Sequence, residues 1–180
     1  MRARGADWTT WGERSGELAR TQVVVLGGGS SAEREVSLTS SRAIAEALGR
    51  PGGEERAFPA SVLEVEVDPA GRWCVEGARL SPQRALERLP ADALYFLGLH
   101  GGAGEDGRVQ AFLEVAGRRY TGAGPAPSQL CMDKRRARQA VEAVGLVVAP
   151  GRFVSREEWA ERADEVLADL HGLGLAPWFV

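Results

Sequence analysis

The sequence predicts an α/β protein: a Rossmann-like, doubly wound parallel sheet with helices on its faces, followed by the beginning of a second domain. Three observations carry this reading. Short β-branched runs alternate with helix-period segments, the pattern of successive βαβ units. The two most apolar runs, TQVVVL at 21–26 and ALYFLGL at 93–99, each lead directly into a glycine-rich loop. Glycine itself supplies 23 of the 180 residues, well above the usual share of about 7%, which suits loops that carry backbone close to a ligand.

Taken in order, Thr21–Leu26 reads as a buried parallel strand ended by Gly27, Gly28 and Gly29. A helix is expected over about 32–48, with Val36, Leu38, Ile44 and Leu48 among its apolar positions, and a loop over 49–56. Residues 57–80 read as two or three short extended pieces, with VLEVEV alternating in strand fashion and a turn at Asp68–Gly71. Ser81-Pro82 is an N-cap followed by proline at the first helical position, opening a short helix to about Leu89. Ala93–Leu99 is the second buried strand, and His100–Gly107 the second glycine loop. The next helix should bury Val109, Phe112, Leu113 and Ala116, spaced i, i+3, i+4 and i+7. Tyr120–Gly122 is a strand end, and GAGPAPS at 122–128 a crossover marking the best internal boundary. Beyond it come a helix over about 133–144 with Ala137, Ala140, Val141 and Val144 on one face, and a strand at Arg152–Val154. A last helix through Leu170 is introduced by a Ser155/Glu158 capping box. Pro177–Val180 reads as the opening of another strand, so the chain is expected to have been cut there. The domains expected are an extension at 1–21, a first domain at 22–125 and the start of a second at 126–180.

Composition excludes several classes. The formal net charge of −3 argues against a nucleic-acid partner, which advertises a basic patch. With 44% hydrophobic and 26% charged residues the chain is ordinary globular protein. No run approaches the ~18 apolar residues of a membrane span, and residues 1–21 have no apolar core of a secretory signal and are expected to be disordered. Cys74 and Cys131 form no CxxC, so neither a zinc site nor a disulfide is expected and a reducing cytoplasm fits. Lys134 is the only lysine among 22 basic residues.

In an open parallel sheet, ligands sit beyond the carboxyl ends of the strands, and both glycine loops lie at such ends. Gly27-x-Gly29-x-x-Ala32 matches a relaxed dinucleotide fingerprint, but Glu33 and Glu35 in the first helical turn would repel a pyrophosphate. Those carboxylates suit a cationic ligand such as an ammonium group. Ser30-x-x-Glu33 is equally a capping box, so cap and ligand remain alternatives for Glu33. His100, directly after a buried strand, can donate to a carboxylate or phosphoryl oxygen, or simply brace its loop. Glu105 and Asp106 read as a helix start, and His171 is assigned no role. Lys134, opening a helix after the crossover, is a phosphate partner or a solvated lysine.

Three blocks, VVVLGGGSSAEREVSL (23–38), LGLHGGAGEDGRVQAFLEVAGRRYTG (97–122) and MDKRRARQAVEAVGLVVAP (132–150), together resemble the D-alanine–D-alanine ligases. These are ATP-grasp enzymes of peptidoglycan precursor synthesis that join two D-alanines through an acylphosphate. The resemblance implies a pre-ATP-grasp N-terminal domain followed by the first part of an ATP-grasp central domain. It implies that Glu33 anchors the ammonium of the first D-alanine, that His100 approaches that D-alanine and its acylphosphate, and that Val36 and Gly101 help to bind it. It implies that Lys134 contacts ATP phosphate. ATP and Mg2+ would serve the full-length parent, with no metal ligand and no bound cofactor expected in this chain alone. A homodimer through the N-terminal domain, a cytoplasmic location and no membrane or nucleic-acid partner are also implied. The chain is expected to be inactive alone, because the family's magnesium carboxylates and phosphate loop lie further on. Two other readings are a free-standing amino-acid-binding or regulatory module and a dinucleotide-binding domain, which NAD binding would distinguish.

Overall fold

The computed structural model describes residues 20–50, 59–172 and 174. Most of the expected extension at 1–21 and the strand expected at Pro177–Val180 lie outside the described residues. The chain divides into two compact units between Met132 and Asp133.

The first unit is built on a six-stranded sheet in the order β4-β3-β2-β1-β5-β6. Its strands are β1 (Gln22–Gly28), β2 (Ser61–Val67), β3 (Trp73–Val75), β4 (Ala78–Leu80), β5 (Leu94–Leu97) and β6 (Arg119–Tyr120). β1 pairs in parallel with β2 and β5, and β5 in parallel with β6. The α/β class and the parallel core therefore hold. The sheet is nonetheless mixed, because β3 and β4 extend it as antiparallel hairpins. The cause is local: Asp68 accepts hydrogen bonds from the N–H groups of Ala70 and Arg72, both at 2.9 Å, folding the chain back after β2. Glu76 and Gly77, with φ of 50° and 80°, form the tight turn between β3 and β4.

Side chains of the central strand β1 alternate between two cores, as the period of a strand requires. Val24 and Leu26 join Trp73, Tyr95, Leu99 and Leu113 on one face. Val23 and Val25 join Ala45 on the other. Burying each such aliphatic side chain contributes about 1.5–3 kcal/mol before conformational entropy is counted.

Helix α1 (Arg34–Gly49) buries small residues most deeply, with only two of its four expected apolar positions, Ile44 and Leu48, packed beside them. Its buried positions are Ser37, Ser41 and Ala45, spaced four apart, whereas Val36 is exposed. Ile44 and Leu48 pack at the edge of the second core. The opposing surface is small too: a Cβ added to Gly27 would meet the Ser41 hydroxyl at 2.0 Å, and one on Gly98 would meet Ser41 Cβ at 3.2 Å. Helix α2 (Pro82–Arg88) begins as expected, with the Ser81 hydroxyl accepting from Arg84 N–H. In α3 (Arg108–Val115) the buried residues are Leu113 and Gln110, with Val109 and Phe112 against the core. Ala116, expected inside, is the exposed C-cap, because the helix ends one residue earlier. The GAGPAPS segment is not a plain crossover: its Pro125 opens helix α4 (Pro125–Met132), proline being well placed in a first helical turn.

The second unit holds α5 (Lys134–Ala143) and α6 (Arg156–Gly172). Asp133 caps α5, its carboxylate accepting from the N–H groups of Arg135 and Arg136 at 3.1 Å. Val141 and Val144 share the expected face, and both are exposed. Arg152–Val154 is not a strand: Arg152 instead forms ion pairs with Glu158 and Asp169. Only half of the Ser155/Glu158 box forms. Glu158 N–H donates to the Ser155 hydroxyl at 3.1 Å, but the Glu158 carboxylate turns to Arg152.

Candidate functional site

The parallel strands β1 and β5 are neighbours, so their glycine loops leave the sheet side by side. β1 ends with Gly28 and Gly29 at φ of 92° and 101°, a left-handed backbone that favours glycine. Gly29 N–H donates to Val67 C=O at 2.8 Å, tying the first loop to the end of β2. The second loop turns at Gly101, φ 66°, and continues through a 3-10 turn at Gly102–Gly104.

Hydroxyl groups hold the two loops together. The Ser31 hydroxyl donates to the His100 carbonyl at 2.6 Å and accepts from Glu33 N–H at 3.2 Å. The fully buried Ser37 hydroxyl accepts from Gly28 N–H at 2.8 Å and donates to Gly98 C=O at 2.7 Å. One side chain on α1 thus satisfies orphan groups at the ends of both strands, where the sheet ladder has stopped.

The Ser30/Glu33 capping box does not form. Glu33 is the N-cap of α1 but makes no capping bond with its side chain. The carboxylate instead lies over the second loop, where a Cβ on Gly101 would come within 2.3 Å of Glu33 Oε2. Arg34 does not neutralise it: Arg34 pairs with Glu66 on β2 at 2.5 Å and donates to Val67 C=O at 3.3 Å. An exposed carboxylate beside a glycine turn can receive a cation. His100 stands on the same edge, its Nε2 at 3.2 Å from the Ser40 hydroxyl and its Nδ1 at 3.7 Å from Glu105 Oε1.

Beside this pair is a cavity of about 460 Å³ that reaches from Gly28, Gly29, Ser31, His100 and Gly101 inward to Trp73 and Phe112. Its volume exceeds a small amino acid's needs and falls within the range of ligand sites, about 300–1,000 Å³. Glu33 and Val36 are not in its walls. Asp106 lies just before the Gly107 N-cap of the following helix, and its hydrogen bond from the Arg108 side chain holds its carboxyl below the usual aspartate range. Among the described residues no group of three or more His, Cys, Asp and Glu side chains is placed to hold a metal ion.

The structure therefore brings Glu33, His100 and Gly101 to one sheet edge. It leaves Val36 exposed one turn along α1 and places Lys134 in the second unit, where it is the exposed first residue of α5. Ser31, Ser37 and Ser40 were not singled out from the sequence. The signal for Ser37 and Ser40 was the hydroxyl-rich run SLTSS at 37–41, opposite two glycine-ended strands, and that for Ser31 was its place at the end of the first glycine loop.

This architecture is an α/β domain that presents a carboxylate and an imidazole at the carboxyl edge of its parallel strands. No family model matches the chain. It is 33% identical to the D-alanine–D-alanine ligase of Deinococcus radiodurans over 175 residues, covering 89% of this chain and 49% of that protein. It is 44% identical to the ligase of a Marinomonas species over 117 residues, covering 65% of this chain and 32% of that protein. The structure of the D-alanine–D-alanine ligase from Coxiella burnetii aligns with a TM-score of 0.65 at 25% identity, over 84% of this chain and 49% of that one. The ligase structure from Aeromonas hydrophila aligns at 0.64 and 27% identity, over 83% and 50%. The chain belongs to the D-alanine–D-alanine ligase family. It spans about half the length, or less, of the curated relatives it matches.

Proposed function

We propose that this chain supplies the first D-alanine site of an ATP-dependent D-alanine–D-alanine ligase, an ATP-grasp enzyme of peptidoglycan synthesis working in the cytoplasm. The observation that carries this is the placement of the Glu33 carboxylate over Gly101, beside His100. Glu33 is the counter-charge for the substrate ammonium. His100 stands at the edge that this D-alanine, and later its acylphosphate, would approach. Gly101 lets backbone and substrate approach, and Val36 borders the ammonium end. Lys134 is the contact for ATP phosphate, as a point-charge ammonium at the start of α5. Mg2+ would supply charge neutralisation on the phosphates, but the described residues form no cluster that fits it, so no step is assigned to it in this chain. We read 22–125 as the N-terminal domain and 126–180 as the start of the central one, with a homodimer formed through the former. Ligation itself requires the parts of the longer relatives that this chain does not match, so the chain alone binds D-alanine without turning it over.

Titration of D-alanine against L-alanine, followed by calorimetry or amide shifts, tests this reading. D-Alanine should bind, and Glu33→Gln should weaken it by tens of fold, the loss of a charge-assisted hydrogen bond worth about 2 kcal/mol. Equal binding by Glu33→Gln and the native chain would refute the site. In a full-length ligase carrying this segment, Lys134→Ala should weaken ATP use far more than D-alanine binding. D-alanine-dependent phosphate release by this chain would overturn the view that it is inactive alone.

A further inference from the structure

We propose that Ser40 is a positioning residue for His100, holding the imidazole as the tautomer with its proton on Nδ1. The contrast among the hydroxyls of α1 first draws attention to it. Thr39 donates to the Glu35 carbonyl at 2.9 Å and Ser41 to the Leu38 carbonyl at 3.1 Å, the usual way a helical hydroxyl is satisfied within its own helix. Ser37 and Ser40, three residues apart and on one face, reach out of the helix instead. Ser37 bridges the strand ends, and Ser40 meets His100 Nε2 at 3.2 Å.

The opposite ring nitrogen decides the proton. Nδ1 faces Glu105 Oε1 at 3.7 Å, and an ionised carboxylate can only accept. The electrostatically favoured proton therefore sits on Nδ1, and Nε2 is left bare. A bare nitrogen needs a donor, and the Ser40 hydroxyl, which can turn to donate, is within reach. The backbone of the same residue is already pinned, because the Ser31 hydroxyl donates to the His100 carbonyl. Ser31 thus fixes where His100 stands, while Ser40 and Glu105 fix how its ring is turned and which edge carries hydrogen. An orienting partner on a functional histidine's second nitrogen is the general way its tautomer is chosen.

The assignment of the tautomer stands on geometry alone. Its value to the amino-acid site rests on the proposed function. The chain has only two histidines, so 15N-histidine labelling yields two imidazole patterns, with His171 in the second unit as the reference. At alkaline pH, His100 should show a pyrrole-like Nδ1 and a pyridine-like Nε2. Ser40→Ala should move it towards the Nε2–H form that predominates for histidine in water, and Ser40→Thr should restore the native pattern. A native His100 in the Nε2–H form, or a pattern unmoved by Ser40→Ala, overturns the proposal. If Ser40→Ala does not fold, Ser40→Cys carries the same comparison, since a thiol is a weak donor. A D-alanine titration separates the two claims. Ser40→Ala should weaken binding about fivefold, the equivalent of one neutral hydrogen bond. Failure of the native chain to bind D-alanine would sink the proposed function and leave the tautomer result intact.

Discussion

The two glycine loops end neighbouring strands of one sheet, yet glycine serves different purposes in them. In the first loop it is required by backbone. Gly28 has φ of 92°, and a Cβ there would lie 2.5 Å from the Val67 carbonyl oxygen, which is fixed by the end of β2. In the second loop, Gly101 also has a left-handed φ, of 66°, but the nearest atom to its missing Cβ is the carboxylate end of Glu33, at 2.3 Å. The first glycine shapes the fold. The second clears space for the atom that the proposed site uses. A glycine at a strand end is therefore informative about function only when the group it makes room for is itself chemically active.

The largest effect should come from Gly28→Ala. A left-handed backbone costs an L-residue about 1–2 kcal/mol, and forced overlap with a fixed carbonyl adds about 1–3 kcal/mol. Urea unfolding should lose about 3 kcal/mol in total. A loss below about 1 kcal/mol would show that the first loop yields as easily as the second, and the contrast would fail.

Ser37→Ala comes next. It strips the buried Gly28 N–H and Gly98 C=O of their shared partner. A buried polar group left unpaired costs about 1–3 kcal/mol, so about 2 kcal/mol of stability should disappear in the same unfolding experiment. Ser37→Thr, which keeps the hydroxyl, gives a control for its removal.

Gly101→Ala should be mildest for stability and pronounced for binding. The flexible Glu33 side chain can swing aside, so unfolding should register only the backbone term, about 1 kcal/mol. The displaced carboxylate should cost D-alanine about tenfold in affinity, or 1.4 kcal/mol. Unchanged binding would show that the position of Glu33 over Gly101 is incidental.

The smallest expected effect concerns acid. The Arg72 backbone N–H, with the Arg72 side chain, holds the Asp68 carboxyl below its ordinary value of 3.8. A carboxyl depressed in the folded state adds stability that is complete above its unfolded value and fades as pH falls through the folded one. Asp68→Asn should flatten the fall in Tm below about pH 3.8 and leave its course near neutrality parallel to that of the native chain. A mutant whose Tm falls as steeply in acid would assign the acid sensitivity to other carboxylates.

The sequence by itself determined the elements with strong local grammar. The run TQVVVL could only be a strand, Ser81-Pro82 could only open a helix, and the glycine loops had to follow the strands they follow. It also singled out Glu33 and His100, because charge and ring chemistry at a strand's carboxyl end are visible in one dimension. Tertiary structure alone decided the rest. The apolar positions read in α1 were Val36, Leu38, Ile44 and Leu48, of which Ile44 and Leu48 pack on the second core while Val36 is exposed. The deepest packing rests on Ser37, Ser41 and Ala45, and at Ser41 the close approach to Gly27 and Gly98 rewards small size over hydrophobicity. The antiparallel hairpins of β3 and β4 depended on how the Asp68 carboxylate pairs with backbone N–H groups ahead of it. The roles of Ser31, Ser37 and Ser40 depended on strand ends and a ring nitrogen distant in sequence. A hydroxyl can satisfy its own helix or its neighbour equally well, and only the position of that neighbour settles which.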